Sequence, residues 1–262
     1  MLCRSYVTKL KDDMDVQAKY NDREWFKTLH DSLWLRPDEG GEDEANSLRR
    51  MLRIRKGQRV LDAPCGAGRV AYHLAKYGAE VVGIDLHSTF VNRAKRRFSR
   101  DGVQADLRSM DLRSIEFENE FHAVYNWFNS FGYFSDSENA DVVRRFARAL
   151  RPGGRLLIDL LNRERILRNF IPVGVNHGVL FRSKWDPSEE RLIGQRVIDG
   201  IAENESRSSQ RLYTLSQMRD LLASADLDVE VVYGSLNCEP YHRGSRQMIV
   251  IARKPSAKRL GL

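Results

Sequence analysis

The sequence predicts an α/β fold: a doubly wound, mostly parallel seven-stranded sheet with a C-terminal antiparallel strand, an N-terminal helical cap and an inserted antiparallel β lid. Three observations predict it. Short apolar runs alternate with helix-periodic text through residues 59–160, the pattern of βαβ units. The first run, Val60-Leu61-Asp62, leads into a Gly-containing turn that opens a helix, Ala63-Pro64-Cys65-Gly66-Ala67-Gly68-Arg69-Val70. After Gly178 the text alternates as antiparallel strands do, then returns to helix, strand and strand.

Residues 1–56 read as amphipathic helices broken at Pro37 to Gly41, positioned to cap a ligand cleft, with Tyr20 and Trp34 placed to close over it. Strands follow at Arg59 to Leu61, Val81 to Ile84, near Val103, Ala123 to Trp127 and Leu156 to Leu160, each bounded by a turn residue or a charge. Between them, Val70, Ala71, Leu74 and Ala75 form one apolar helix face, and Gly78 sits where a C-cap belongs. The helix from Asn139 to Leu150 repeats the pattern with Val142, Val143 and Phe146 and stops at Pro152-Gly153-Gly154. The lid alternates over Val179 to Phe181 and Val197-Ile198, with turns near Asp186-Pro187 and Asp199-Gly200. The tail is a helix from Leu215 to Ala225 and strands at Val229 to Tyr233 and Met248 to Ala252. The expected division is a cap over 1–56, a core over 57–173, a lid over 174–213 and the rest of the core over 214–262.

The 262 residues suit one decorated domain, and no stretch approaches the roughly 18 uninterrupted apolar residues of a membrane span. Met1 to Asp15 carries charges where a secretion signal is apolar, so the expected location is the cytoplasm, as monomer or homodimer. Cys3, Cys65 and Cys238 are odd in number and far apart, which reads as free thiols, and no His, Cys or acid grouping has metal-ligand spacing. A net charge of +7 raises the question of nucleic acid, but only Arg93 to Arg100 is densely basic, and that run reads as a solvated helix face.

Gly66 and Gly68 let backbone approach a ligand, and the helix they open presents unpaired N–H groups. Val81-Val82-Gly83-Ile84-Asp85 then ends on an acid at a spacing suited to a ribose diol. A nucleoside fits, and two remain open. Gly66 to Ala71 satisfies the dinucleotide pattern G-x-G-x-x-A, which points to NAD and an oxidoreductase. Asp62 ahead of the turn, Asp111 before the fourth strand and the closing strand-loop-strand point instead to S-adenosylmethionine (SAM), because acids suit a cationic amino-acid cofactor and oppose a pyrophosphate.

VLDAPCGAGR, VVGID, Asp111 of MDL, YNWFNSFGYF and LRPGGRLLIDL, in that order and spacing, resemble the class I SAM-dependent methyltransferase family over about Gly57 to Arg253. The resemblance implies a Rossmann-like fold, SAM as cofactor and S-adenosylhomocysteine as product. Carried over by position, Asp62, Ala63, Pro64, Cys65, Gly66 and Gly68 surround the methionine part, Asp85 takes the ribose, and Leu86 packs on adenine. Asp111 with Leu112 holds the adenine edge, and Asn126, Trp127 and Phe128 line the methyl-donor side. RLYTL at 211–215 is similar to the subgroup acting on small molecules, some sugar-amine methyltransferases included.

Two positions depart from the family: Pro64 stands where Gly is usual, and His122 where Asp is usual. The segment after the fourth strand lacks the Asn/Asp-Pro-Pro-aromatic pattern of base-amine methyltransferases and the cysteine of cytosine-carbon methyltransferases. Asp85 and Asp111 can also be plain turn or cap residues, with Asp106 competing for the latter role. For the acceptor, Ser130, Tyr133, Tyr213 and Tyr241 are candidate contacts, and Tyr133, His177 and His242 candidate bases. The expected activity is methyl transfer to nitrogen or oxygen of a small molecule, chiefly by proximity and orientation.

Overall fold

The computed structural model describes residues 39–176, 179–197 and 207–256. Tyr20, Trp34, His177 and most of the expected N-terminal cap lie outside the described residues.

Helix α1 (Gly41–Leu52) leads into strand β1 (Arg59–Asp62), helix α2 (Arg69–Tyr77), strand β2 (Glu80–Asp85), helix α3 (Ser88–Arg100) and strand β3 (Asp106–Ser109). Strand β4 (Phe121–Asn126), helix α4 (Asp136–Ala149), strand β5 (Leu150–Leu161) and the short helix α5 (Arg163–Arg168) follow. The lid holds β6 (Val173–Asn176), β7 (Val179–Asp186), β8 (Arg191–Val197) and β9 (Arg207–Arg211). Helix α6 (Leu215–Ala223) and strands β10 (Asp228–Tyr233) and β11 (Gln247–Arg253) close the chain.

The main sheet has seven strands in the order β10-β11-β5-β4-β1-β2-β3, parallel except for β11, which runs against both neighbours. Its strands alternate between two cores, as the period of two requires. Leu61, Val124, Leu156 and Ile158 join α4 and α6 on one face, whereas Val60, Ala123, Tyr125 and Leu157 join α1, α2 and α3 on the other. Burial on both faces explains why these strands read as continuous apolar runs. The lid is a separate four-stranded antiparallel sheet, β6-β7-β8-β9.

Local signals set the boundaries. Gly68 caps α2 at φ 74°, and a Cβ there would lie 2.8 Å from Phe98 Cε2, so both conformation and space exclude a side chain. Gly78 ends α2 in the left-handed conformation, as its position in the sequence indicates. Ser135 and Glu138 form a capping box on α4, and Thr214 and Gln217 one on α6.

The third strand differs from the expectation: it lies at Asp106–Ser109, not near Val103. Val103 instead donates its N–H to the Phe98 carbonyl in the turn after α3 and packs on the core from there. An apolar residue that buries itself from a turn is indistinguishable in text from one in a strand. The lid also contains β6 and β9, neither of which reads separately in the sequence.

Candidate active site

Strand order reverses between β1 and β4, and by the crevice rule a ligand site opens outside their carboxyl ends. A cavity of about 520 Å³ lies there, bounded by the loops after β1, β2 and β4 and by residues of β7, β8 and β9.

Asp85, at the end of β2, organises one half. Its Oδ2 accepts the Gly66 N–H at 2.9 Å and its Oδ1 the His87 N–H at 2.8 Å, which fixes both the Gly loop and the start of α3. Burial pushes its carboxyl above the usual range, and those two N–H groups moderate the rise. Asp62 ends β1 beside Tyr125 of β4 and Gly83 of β2. Burial raises its carboxyl well above the ordinary value; the Tyr125 hydroxyl lowers it, Asp85 raises it and Arg69 lowers it. Leu86, Phe90 and Leu112 supply apolar walls, and the His87 imidazole stacks on Phe90 at 4.0 Å. Cys65 lines the floor, its thiol pushed up by burial and by Asp62, which marks it as packing rather than nucleophile.

Asp111 lines the cavity and also caps the 3₁₀ turn Leu112–Ser114. It accepts the Arg113 N–H at 2.9 Å and pairs with the Arg113 guanidinium, which reaches on to Glu138. Asp106 is bound instead to Arg108 and is not part of the lining. The cavity therefore joins a hydrogen-bonded carboxylate, an apolar slot and a second carboxylate whose charged form a cation would favour. These residues fit a nucleoside that carries a cationic amino-acid tail.

The loop after β4 forms the boundary with the other half. Trp127 Nε1 donates to Glu44 of α1 at 2.8 Å, and Glu44 pairs with Arg69 at 2.6 Å. Phe128 and Asn129 both adopt positive φ, 63° and 55°, a region that Asn tolerates but Phe enters at a cost. Asp159 of β5 accepts the Asn129 N–H, and Gln210 of β9 donates to the carbonyls of Asn129 and Phe131 at 2.8 Å each. Ser130 and Tyr133 line the cavity; burial pushes the Tyr133 phenol up to about 12.

Other expected site residues stand outside the lining. Asn126 is fully buried and donates to the Ala63 carbonyl at 2.7 Å, joining the ends of β1 and β4 behind the cavity. Gly68 caps α2. Tyr213 is buried against Phe131. The Tyr241 hydroxyl donates to Asn162 Oδ1 at 3.1 Å, and His242 is exposed, its Nδ1 accepting the Gly244 N–H. Tyr241 and His242 find these partners in and around the loop before β11, and neither they nor Tyr213 line the cavity. His122 accepts the Arg59 N–H between β4 and β1. Arg93, Lys95, Arg96 and Arg100 are exposed on α3, away from the lining.

Several lining or supporting residues escape sequence reasoning. Glu44 and Arg69 meet across 25 positions with no local pattern to announce the pair. Asp159, an acid inside the apolar run Leu156 to Leu161, does carry a signal: a charge in a fully buried strand must have partners. Gln210, Arg182 and Gln195 have none.

Fold and site together define a nucleoside-cofactor enzyme of the doubly wound α/β class. Residues 60–154 match the model of the methyltransferase domain family. The chain is 27% identical over 208 residues to a cypemycin N-terminal methyltransferase of a Streptomyces species, covering 76% of this chain and 84% of that one. It is 32% identical over 171 residues to the ubiquinone biosynthesis O-methyltransferase of Dechloromonas aromatica strain RCB, covering 64% and 68%. In fold it is similar to the CcbJ methyltransferase of Streptomyces caelestis, with a TM-score of 0.76 at 18% identity over 90% of this chain and all of the other. The chain belongs to the class I SAM-dependent methyltransferase family, and the nicotinamide and nucleic-acid readings are not favoured.

Proposed function

We propose that this enzyme moves the SAM methyl group to a small-molecule acceptor, with nitrogen favoured over oxygen. The observation that carries the choice is the lack of an ionised base in the acceptor half among the described lining residues. Asp62, Asp85 and Asp111 belong to the cofactor half, and Tyr133, raised to about 12, keeps its proton at neutral pH. A hydroxyl needs a base during transfer, whereas an amine can shed its proton to water before it docks. The relative named as an N-terminal methyltransferase supports the same choice.

In this reading Asp85 binds the ribose hydroxyls, Leu86, Phe90 and Leu112 enclose the base, and Asp62 with the Gly66 turn takes the amino-acid end. SAM supplies a methyl already activated by its sulfonium. The chain's own work is then to orient the amine and keep water out, a task for the loop at 127–130 together with the lid strands, to which Gln210 ties it.

Calorimetric titration with SAM, S-adenosylhomocysteine and NAD tests the cofactor site. Roughly micromolar binding of the first two, weakened at least about tenfold by Asp85→Ala, is the expected result. Transfer of labelled methyl to amines but not to matched alcohols then tests the acceptor. Binding of NAD alone would overturn the cofactor reading, and preferential alcohol methylation would overturn the choice of nitrogen.

A further inference from the structure

Three buried polar atoms without hydrogen-bond partners among the described residues gather at the lid side of the cavity: Arg182 Nε on β7, Gln195 Oε1 on β8 and Asn129 Oδ1 in the loop after β4. Arg182 is only 8% exposed and Gln195 3%. The two are cross-strand partners in the β7–β8 register, so both side chains project from the same face of the lid. Arg182 makes no ion pair or hydrogen bond with any described side chain, although Arg191 and Arg211 of the same sheet are held by carbonyls or acids.

A buried guanidinium with no counter-charge is costly, and proteins normally pair it. Here its surroundings are an open ligand cavity rather than a packed core. Its fork of donors matches a carboxylate in two parallel hydrogen bonds, and one guanidinium balances one negative charge. The orphan carbonyls of Gln195 and Asn129 are acceptors, suited to the N–H groups of an amine.

Building on the methyl-transfer reading above, we propose that the acceptor is an amine that also bears a carboxylate, and that Arg182 captures the carboxylate while Gln195 and Asn129 receive the amine. The lid then selects zwitterionic, amino-acid-like acceptors over simple amines. A carboxylate anchored on β7 also fixes where the nitrogen sits relative to the loop after β4, so recognition and alignment arise from the same contacts.

The test uses the full chain saturated with S-adenosylhomocysteine and matched probes: L-leucine and L-phenylalanine, their decarboxylated amines, and O-phosphoethanolamine. Binding is read by calorimetry, and methyl transfer with labelled SAM by mass spectrometry. The acids are expected to bind at least about tenfold tighter than the corresponding amines, and Arg182→Met to abolish the difference. Because Arg182→Met removes a buried side chain, Gln195→Glu serves as the second variant. It supplies Arg182 with an internal counter-charge, so it should fold at least as well as the parent and lose the acid preference.

Equal binding of acids and amines, or binding of neither class to a protein that still binds S-adenosylhomocysteine, would overturn the proposal and leave the cofactor reading standing. Tighter binding of the phosphate probe would overturn the carboxylate assignment. Failure to bind S-adenosylhomocysteine at all would instead sink the reading on which the proposal rests.

Discussion

The Asp159 carboxylate accepts the backbone N–H of Asn129 at 3.2 Å, tying the centre of the main sheet to the loop that divides the cavity. Gln247 of β11 donates to its other oxygen at 3.0 Å. Asp159 is fully buried, and burial raises its carboxyl to about 7, against the lowering effect of the Asn129 N–H and Gln247.

Stability should therefore fall with pH in the acid range. With a folded value near 7 and an ordinary unfolded value, the unfolded chain releases this proton first as pH rises from about 4. The protonated carboxyl's stabilising contribution is complete below about 4 and is lost progressively up to about 7, by on the order of 1 kcal/mol per pH unit. Urea denaturation at intervals from pH 4 to 8 checks this. Asp159→Asn, which cannot ionise, should flatten that part of the profile. An unchanged slope in the variant would assign the pH dependence to other groups.

What could be read from the text divides along physical lines. The order of the core elements was legible because each βαβ unit carries its own periodicity, and α2 its own stop at Gly78; the Pro152-Gly153-Gly154 run, expected as the stop of α4, instead lies within β5. That Asp62, Gly66, Asp85 and Asp111 line one cavity was legible because that part of the lining is made by short turns at strand ends, where spacing along the chain equals position in space. The lid was legible only as alternation. Arg182 faces Gln195 by cross-strand register, and Gln210 reaches a loop about 80 residues earlier; no local pattern encodes either. Tyr241 and His242 misled for the same reason, since their types suit an acceptor site but their loop folds back on Asn162 and Ser245.

Glu44→Gln tests whether α1 is part of the cofactor site. Its carboxylate joins Trp127 and Arg69, both of them cavity-lining and largely buried. The amide can keep the Trp127 bond but leaves the guanidinium without its counter-charge, which costs about 1–3 kcal/mol in stability. The KM for SAM should rise several-fold with kcat little changed, because the chemistry lies beyond this contact. A selective fall in kcat would assign Glu44 a different role.

Gln210→Ala should act on the acceptor and spare the cofactor. The side chain donates to the Asn129 and Phe131 carbonyls, and its removal leaves two partly or fully buried acceptors unpaired. Faster amide exchange over residues 129–134 and a raised acceptor KM, with S-adenosylhomocysteine affinity within about twofold of the parent, are the expected outcomes. Equal losses for both ligands would mean that lid and loop move as one body with the cofactor half.

Gly68→Ala separates two costs at one atom. The left-handed backbone at φ 74° penalises any Cβ by about 1–2 kcal/mol, and the contact with Phe98 Cε2 at 2.8 Å adds an overpacking cost of about 1–3 kcal/mol. Since Gly68 caps α2 directly after the turn that lines the cavity, the strain should lower both melting temperature and SAM affinity. Adding Phe98→Leu opens the space but leaves the backbone penalty, so the double variant should recover only the steric part relative to Phe98→Leu alone. Full additivity of the two substitutions would show that Phe98 never meets the added methyl, and that the turn moves to accommodate it.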